Sequence, residues 1–117
     1  MSIGQSIATV LKNYVGFSGR ASRPEFWWYY LVYVIVAIIV SLIDGAIGAN
    51  NVLVGIYFLA LFLPTLAVTF RRLHDTDKRG WWILIQLIPI IGSIVMLVFL
   101  ASRGTPGDNR FGPPPVA

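Results

Sequence analysis

Cysteine is absent from this chain, which excludes disulfides, thiolate zinc sites and cysteine nucleophiles. Histidine occurs once, at His74, too few for an ordinary zinc site. No G-x-S-x-G, H-E-x-x-H or P-loop pattern is present, so no catalytic residue, metal or cofactor is expected. Charge is scarce as well. Only 12% of the 117 residues are Asp, Glu, Lys or Arg and 56% are apolar, whereas an average soluble domain is about 25% charged. So few charges cannot cover a small globule, whose surface is large for its volume. A lipid-facing surface removes that difficulty, and the composition favours an integral membrane protein.

What is present is apolar length. Three runs, Phe26 to Ile43, Val52 to Phe70 and Trp81 to Ala101, contain no Asp, Glu, Lys, Arg or His. About 20 helical residues at ~1.5 Å rise cross a ~30 Å hydrocarbon core. The expected fold is therefore an all-α integral membrane protein. Its single membrane domain, residues 1–117, has transmembrane helices over 24–43, 52–70 and 81–101. A cleaved signal peptide fits poorly, because the first run begins 25 residues in and exceeds the usual ~7–15 residue apolar stretch.

The flanks carry their own signals. In the leader, 1–15, Ile3, Ile7, Val10, Leu11 and Tyr14 recur at helical spacing, which predicts a short amphipathic helix in the cytoplasmic interface or against the bundle. Ser22 and Glu25 stand as S-x-x-E with Pro24 between them, a capping box opening the first transmembrane helix. Ala37, Ser41 and Gly45 fall four apart and give a small-residue face for another helix. Pro64 and Pro89 predict kinks in the second and third helices. The tail, 102–117, is rich in Pro and Gly and predicts turns or disordered chain.

Net charge is +4, and where the charges sit decides its meaning. With three spans, Lys12, Arg20, Arg23, Arg71, Arg72, Lys78 and Arg79 share one side, against Arg103 and Arg110 on the other. The positive-inside rule then places the N-terminus and residues 71–80 in the cytoplasm. One alternative keeps every basic residue inside: the third run dips in and turns back around "PIIG". Each arm would be about ten residues, ~15 Å long, and a re-entrant backbone must be shielded by protein.

The stretch "RRLHDTDKRGWW" concentrates the charge. Asp75, Asp77 and Gly80 resemble the start of a calcium loop, but Arg79 takes a ligand position and Gln86 stands where a bidentate Glu is needed. Nucleic-acid binding is not expected, since the basic residues hug helix ends and Trp81 and Trp82 would have to leave the membrane interface. Transport usually shows ionisable groups inside the bilayer, and the runs offer only Ser41, Thr65, Thr69, Gln86 and Ser93 besides tyrosines. The plainest account is topology plus local pairs: Arg71 with Asp75, and Arg72 with Asp75 or Thr76, at most about 1 kcal/mol each when exposed. A sharper account notes that Arg20, Arg23 and Glu25 share a membrane face with Arg71, Arg72, His74 and Asp75. Walled by tryptophan, that cluster could hold a lipid phosphate or an acidic partner segment.

"FSGRASRPEFWW", "RRLHDTDKRGWW" and the tail "GTPGDNRFGP" together resemble the bacterial inner-membrane family called domain of unknown function 805. The resemblance covers essentially the whole chain in order and spacing, with Asp77-Lys78 the one departure from the family's pattern. It implies a small multi-pass protein of the bacterial inner membrane and no activity. It also draws attention to Arg20, Arg23, Glu25, Arg71, Arg72, His74, Asp75, Asn109 and Arg110, which fall on the shared motifs. A topology signal would tolerate Lys for Arg and would need no histidine, so these positions point to a specific polar network.

The expected function is binding or scaffolding, not catalysis, through the cytoplasmic Arg/His/Asp cluster. Expected partners are membrane lipids, a larger membrane protein or a second copy of the chain. The alternative is an oligomeric transport or channel component using the Ala37, Ser41 and Gly45 face. A lipid-modifying enzyme with His74 as acid–base group is a third, weaker class.

Overall fold

A computed structural model describes residues 2–115; the last two residues of the expected tail and the first of the leader lie outside them. Among the described residues the fold is all-helical. Helices α1 (Ile3–Lys12), α2 (Arg23–Ile47) and α3 (Val52–Asp75) are followed by a 3-10 segment (Gly80–Leu87) and α4 (Pro89–Ala101).

Helix α1 starts at a reciprocal capping box between Ser2 and Gln5. Ser2 Oγ accepts from Gln5 N–H at 3.1 Å and Gln5 Oε1 accepts from Ser2 N–H at 2.9 Å. The helix packs against the bundle: Ser6 Oγ donates to the Pro24 carbonyl at 3.2 Å, and the Tyr14 hydroxyl donates to the Ala60 carbonyl midway along α3. At α2, Ser22 caps Glu25 N–H at 3.3 Å and Pro24 sits in the first turn. The returning half of the expected capping box is missing, because the Glu25 carboxylate pairs with Arg71 instead.

Helices α2 and α3 are the two helices long and apolar enough to cross a membrane. Little of either apolar stretch is buried within the protein, 6% and 22%. A core helix of a soluble protein would be mostly covered, whereas open apolar surfaces like these suit contact with hydrocarbon. Their hairpin closes on one carboxylate. Asp44 Oδ1 accepts from Asn51 N–H at 2.8 Å and Oδ2 from Leu53 N–H at 2.9 Å. Gly48 ends α2 in the left-handed region at φ 68°, where glycine meets no steric penalty. Between the helices Tyr29 pairs with Thr65 (2.8 Å), and Tyr57 donates to the Tyr33 carbonyl (2.7 Å). Ser41 and Gly45 remain exposed on α2 while Ala37 is half-buried, so among the described residues nothing fills the Ser41 and Gly45 part of the small-residue face.

The third apolar run departs from expectation. Residues 81–101 do not form one helix: the run breaks at Ile88, which is extended (φ −88°, ψ 109°), and Pro89 starts α4 instead of kinking a longer helix. The cause is local, since a residue before proline is disfavoured in the α region and proline suits a helix start. Helix α3, by contrast, continues through Pro64. The 3-10 segment then folds back on α4, and the crossing point is Gly92, where a Cβ would stand 1.8 Å from the Ile85 carbonyl oxygen. Both ends of the run meet the C-terminal end of α3. Gly80 packs on the Phe70 ring, and Arg72 Nε donates to the Leu100 carbonyl at 2.8 Å.

Candidate functional site

Residues 19–25, 71–77 and 100–112 converge at the C-terminal end of α3. The left-handed turn at Gly19 (φ 87°) delivers Arg20, and Ala21 N–H donates to the Arg71 carbonyl at 2.9 Å. "GRASRPE" and "RRLHD" are thus held together through backbone before any side chain contributes.

Asp75 is the hub. Its Oδ1 accepts from Arg20 Nε at 3.0 Å and its Oδ2 pairs with Arg72 Nη1 at 2.5 Å. Neither guanidinium reaches solvent appreciably: side-chain exposure is 1% for Arg20 and 0% for Arg72. Their remaining donors find carbonyls. Arg20 reaches Thr105 (2.6 Å), Gly107 (2.7 Å) and Gly112 (3.3 Å). Arg72 reaches Ala21 (3.3 Å), Leu100 (2.8 Å) and Ser102. A guanidinium carries five N–H donors in a rigid fork, which explains why these positions hold arginine and not lysine. The Leu100 and Ser102 carbonyls close α4, where a cation also favours the helix dipole.

The other expected site residues divide. Arg71 pairs with Glu25 across helices at 2.5 Å, not with Asp75 along its own helix, and its Nε and Nη2 have no partner among the described residues. His74 Nδ1 lies 2.9 Å from the Gly19 carbonyl and its ring stacks on Phe111 at 4.0 Å. A carbonyl only accepts, so Nδ1 carries the proton. Asn109 Nδ2 donates to the His74 carbonyl at 2.9 Å. Arg110 pairs with Asp77 at 3.2 Å, and both are about half-exposed. Arg23 is exposed, and its side chain makes no hydrogen bond or ion pair among the described residues.

The cluster is therefore a buried knot, in line with a specific polar network and unlike the exposed local pairs of the plainest account. It ties the start of α2, the end of α3, the end of α4 and the tail into one body. What remains open lies beside it. Arg79 and Arg110 line a groove of about 590 Å³ whose other walls are Trp81, Trp82, Leu84 and Ile85. In the sequence Arg79 gives only a topology signal; its groove is not legible there, because residues 79 and 110 are brought together only by the return of α4.

The family model described as "Protein of unknown function (DUF805)" matches residues 14–113. Inner membrane protein YhaH of Escherichia coli (strain K12) is 50% identical over 111 residues, covering 91% of this chain and 92% of that protein. Inner membrane protein YhaI of the same strain is 50% identical over 108 residues, covering 92% of each. The uncharacterized protein YiiR of that strain is 26% identical over 134 residues, covering 89% of this chain and 88% of its own length. No solved structure matches.

Proposed function

Because the chain belongs to this family of unknown function, we propose its role from its own geometry: a binding protein of the bacterial inner membrane, not an enzyme, that engages anionic lipid headgroups at its cytoplasmic face. The observation that carries the reading is the groove between Arg79 and Arg110. Its mouth offers two guanidinium groups, and its walls are tryptophan and aliphatic side chains that continue into the apolar run. That is the pattern of an anionic amphiphile: phosphate at the arginines, chain along Trp82 and Ile85. Asp77 holds Arg110 through Oδ1 and its carbonyl, and Nη1, without a partner among the described residues, can meet a phosphate oxygen. The buried knot serves this site by fixing where the tail, and so Arg110, comes to rest.

The test is lipid retention by the purified protein in mild detergent, read by native mass spectrometry after exchange into phosphatidylglycerol or phosphatidylcholine. The wild type should retain phosphatidylglycerol selectively. Arg79→Ala with Arg110→Ala should lower that retention roughly tenfold, the order expected of one or two lost charge-assisted hydrogen bonds. Equal retention of both lipids, or no change in the double variant, would overturn the assignment.

The reading carries a topology. Helices α2 and α3 cross the membrane, and the 81–101 run enters and returns on the cytoplasmic side, with the N-terminus on that same side. Three features support it: both ends of the run meet the end of α3, the arms are too short to cross at roughly 16 Å and 20 Å, and all the basic residues then lie inside. The absence of cysteine makes the check clean. Single cysteines at Lys12 and Asp108 should react with an impermeant maleimide only from the cytoplasmic side. Labelling of Asp108→Cys from the periplasm would restore three crossings.

One observation favours an oligomeric second reading. The exposed Ser41 and Gly45 on α2 leave room for a helix of another copy.

A further inference from the structure

A second cavity lies deeper, between α2, α3 and the returning hairpin, with a volume of about 500 Å³. Ligand pockets span roughly 300–1,000 Å³ and are mostly apolar with a few placed polar groups. Trp27, Tyr30 and Phe62 supply aromatic walls, and Thr69, Gln86 and Ser93 supply polar groups beside Thr65, whose hydroxyl is paired with Tyr29. No Asp, Glu, Lys, Arg or His lines it. At this depth an ion would be neither neutralised nor hydrated, so the occupant is neutral.

The polar groups state what they need. Thr69 Oγ1 already donates to the Thr65 carbonyl at 2.8 Å and Ser93 Oγ to the Pro89 carbonyl at 2.9 Å. Both hydroxyls therefore face the cavity as acceptors. Gln86 is exposed at the open side of the cavity, two residues from the hairpin tip at Ile88, and its amide has no hydrogen-bond partner among the described residues. An amide left unpaired in hydrocarbon costs several kcal/mol. A straight acyl chain would fill the space and leave that amide unpaired.

We propose that this cleft binds a neutral, ring-bearing membrane lipid of the quinone or quinol class, its ring between the aromatic walls and its oxygens on Gln86, with Thr69 and Ser93 accepting from the reduced form. Aromatic rings stack on aromatic walls, the carbonyl takes the Gln86 N–H, and a hydrocarbon tail leaves through the side open to lipid. The inference concerns binding only. It rests on the re-entrant topology proposed above, which puts the hairpin tip in hydrocarbon, but not on the headgroup groove at Arg79 and Arg110.

The experiment is equilibrium binding of decylubiquinone to the full-length protein in mild detergent, with empty micelles as background. Saturable binding near one molecule per chain is expected. Gln86→Leu breaks no intramolecular hydrogen bond, so it should fold with an unchanged melting temperature yet bind about tenfold more weakly. Leu97→Trp, which fills the cavity, should abolish saturation. Binding that only matches partition into micelles, equal binding by Gln86→Leu, or a co-purifying phospholipid that the quinone fails to displace would each overturn the proposal.

Discussion

Asp75→Ala should be the most damaging single change in the buried knot, lowering stability by about 3–5 kcal/mol. The carboxylate neutralises Arg20 and Arg72 together, and both side chains are buried. Without it, two guanidinium groups remain inside the protein with only carbonyls for company. Breaking a buried pair from one side is expensive because the charge left behind keeps its desolvation penalty. In detergent the melting temperature, read by tryptophan fluorescence, should fall on the order of 10–20 °C. The tail should also become sensitive to protease, because Arg20 is what holds the carbonyls of Thr105 and Gly107. Asp75→Asn should fall nearly as far, since it keeps the shape and loses the charge. Asp75→Glu should not rescue: Gly104 lies so close that a Cβ there would stand 2.1 Å from Asp75 Oδ2, leaving no space for another methylene. Asp77→Ala is the contrast, because its half-exposed pair with Arg110 contributes at most about 1 kcal/mol. Equal effects at positions 75 and 77 would mean that the knot is not a buried electrostatic unit.

The difference between those two aspartates shows where sequence reading stops. Residues 24–43 and 52–70 were legible as helices because charge-free length near 20 residues has few other uses. The helices nevertheless run on to Ile47 and Asp75. Charged residues ordinarily end such helices, but Arg71 to Asp75 continue α3 because their partners are protein groups in 19–25 and 100–112, not water. That "RRLHD" faces "GRASRPE" was legible, since two segments on one membrane face must be neighbours. Which charge takes which partner was not. The i,i+4 spacing of Arg71 and Asp75 is a weak preference, and the cross-helix approach of Glu25 overrides it. Asn109 and Arg110 were singled out only through the family resemblance, as nothing in a Pro/Gly-rich tail signals that Asn109 will hold the His74 carbonyl. A hairpin in 81–101 and a third crossing are both open to the sequence, because apolar composition is the same for a straight helix and a folded one. Only proline and glycine placement distinguishes them, and that difference can be measured.

Gly92→Ala is the mutation that separates the two forms. In a straight helix over 81–101, residues 85 and 92 lie about 10 Å apart along the axis, and alanine for glycine would stabilise by up to ~1 kcal/mol. In the folded hairpin the new Cβ would stand 1.8 Å from the Ile85 carbonyl oxygen and 3.2 Å from the Gln86 Cα. Those neighbours are backbone and cannot rotate away, so the arms must separate. Separation in hydrocarbon uncovers carbonyls of the 3-10 segment that only packed protein can shield there. It also disturbs the register that carries Leu100 and Ser102 to Arg72. The expected loss is several kcal/mol, of the order seen for overpacking plus unsatisfied buried polar groups, with Gly92→Val worse than Gly92→Ala. Gly45→Ala and Gly55→Ala serve as internal standards, because a Cβ at either meets nothing within 4 Å; both should be neutral or slightly stabilising. Melting temperatures of the three alanine variants in one detergent settle the matter without any reporter of sidedness. If Gly92→Ala ranks with the other two, the run is straight and the tail lies across the membrane. If it alone collapses, the close approach of the two arms at Gly92 is what turns the chain back.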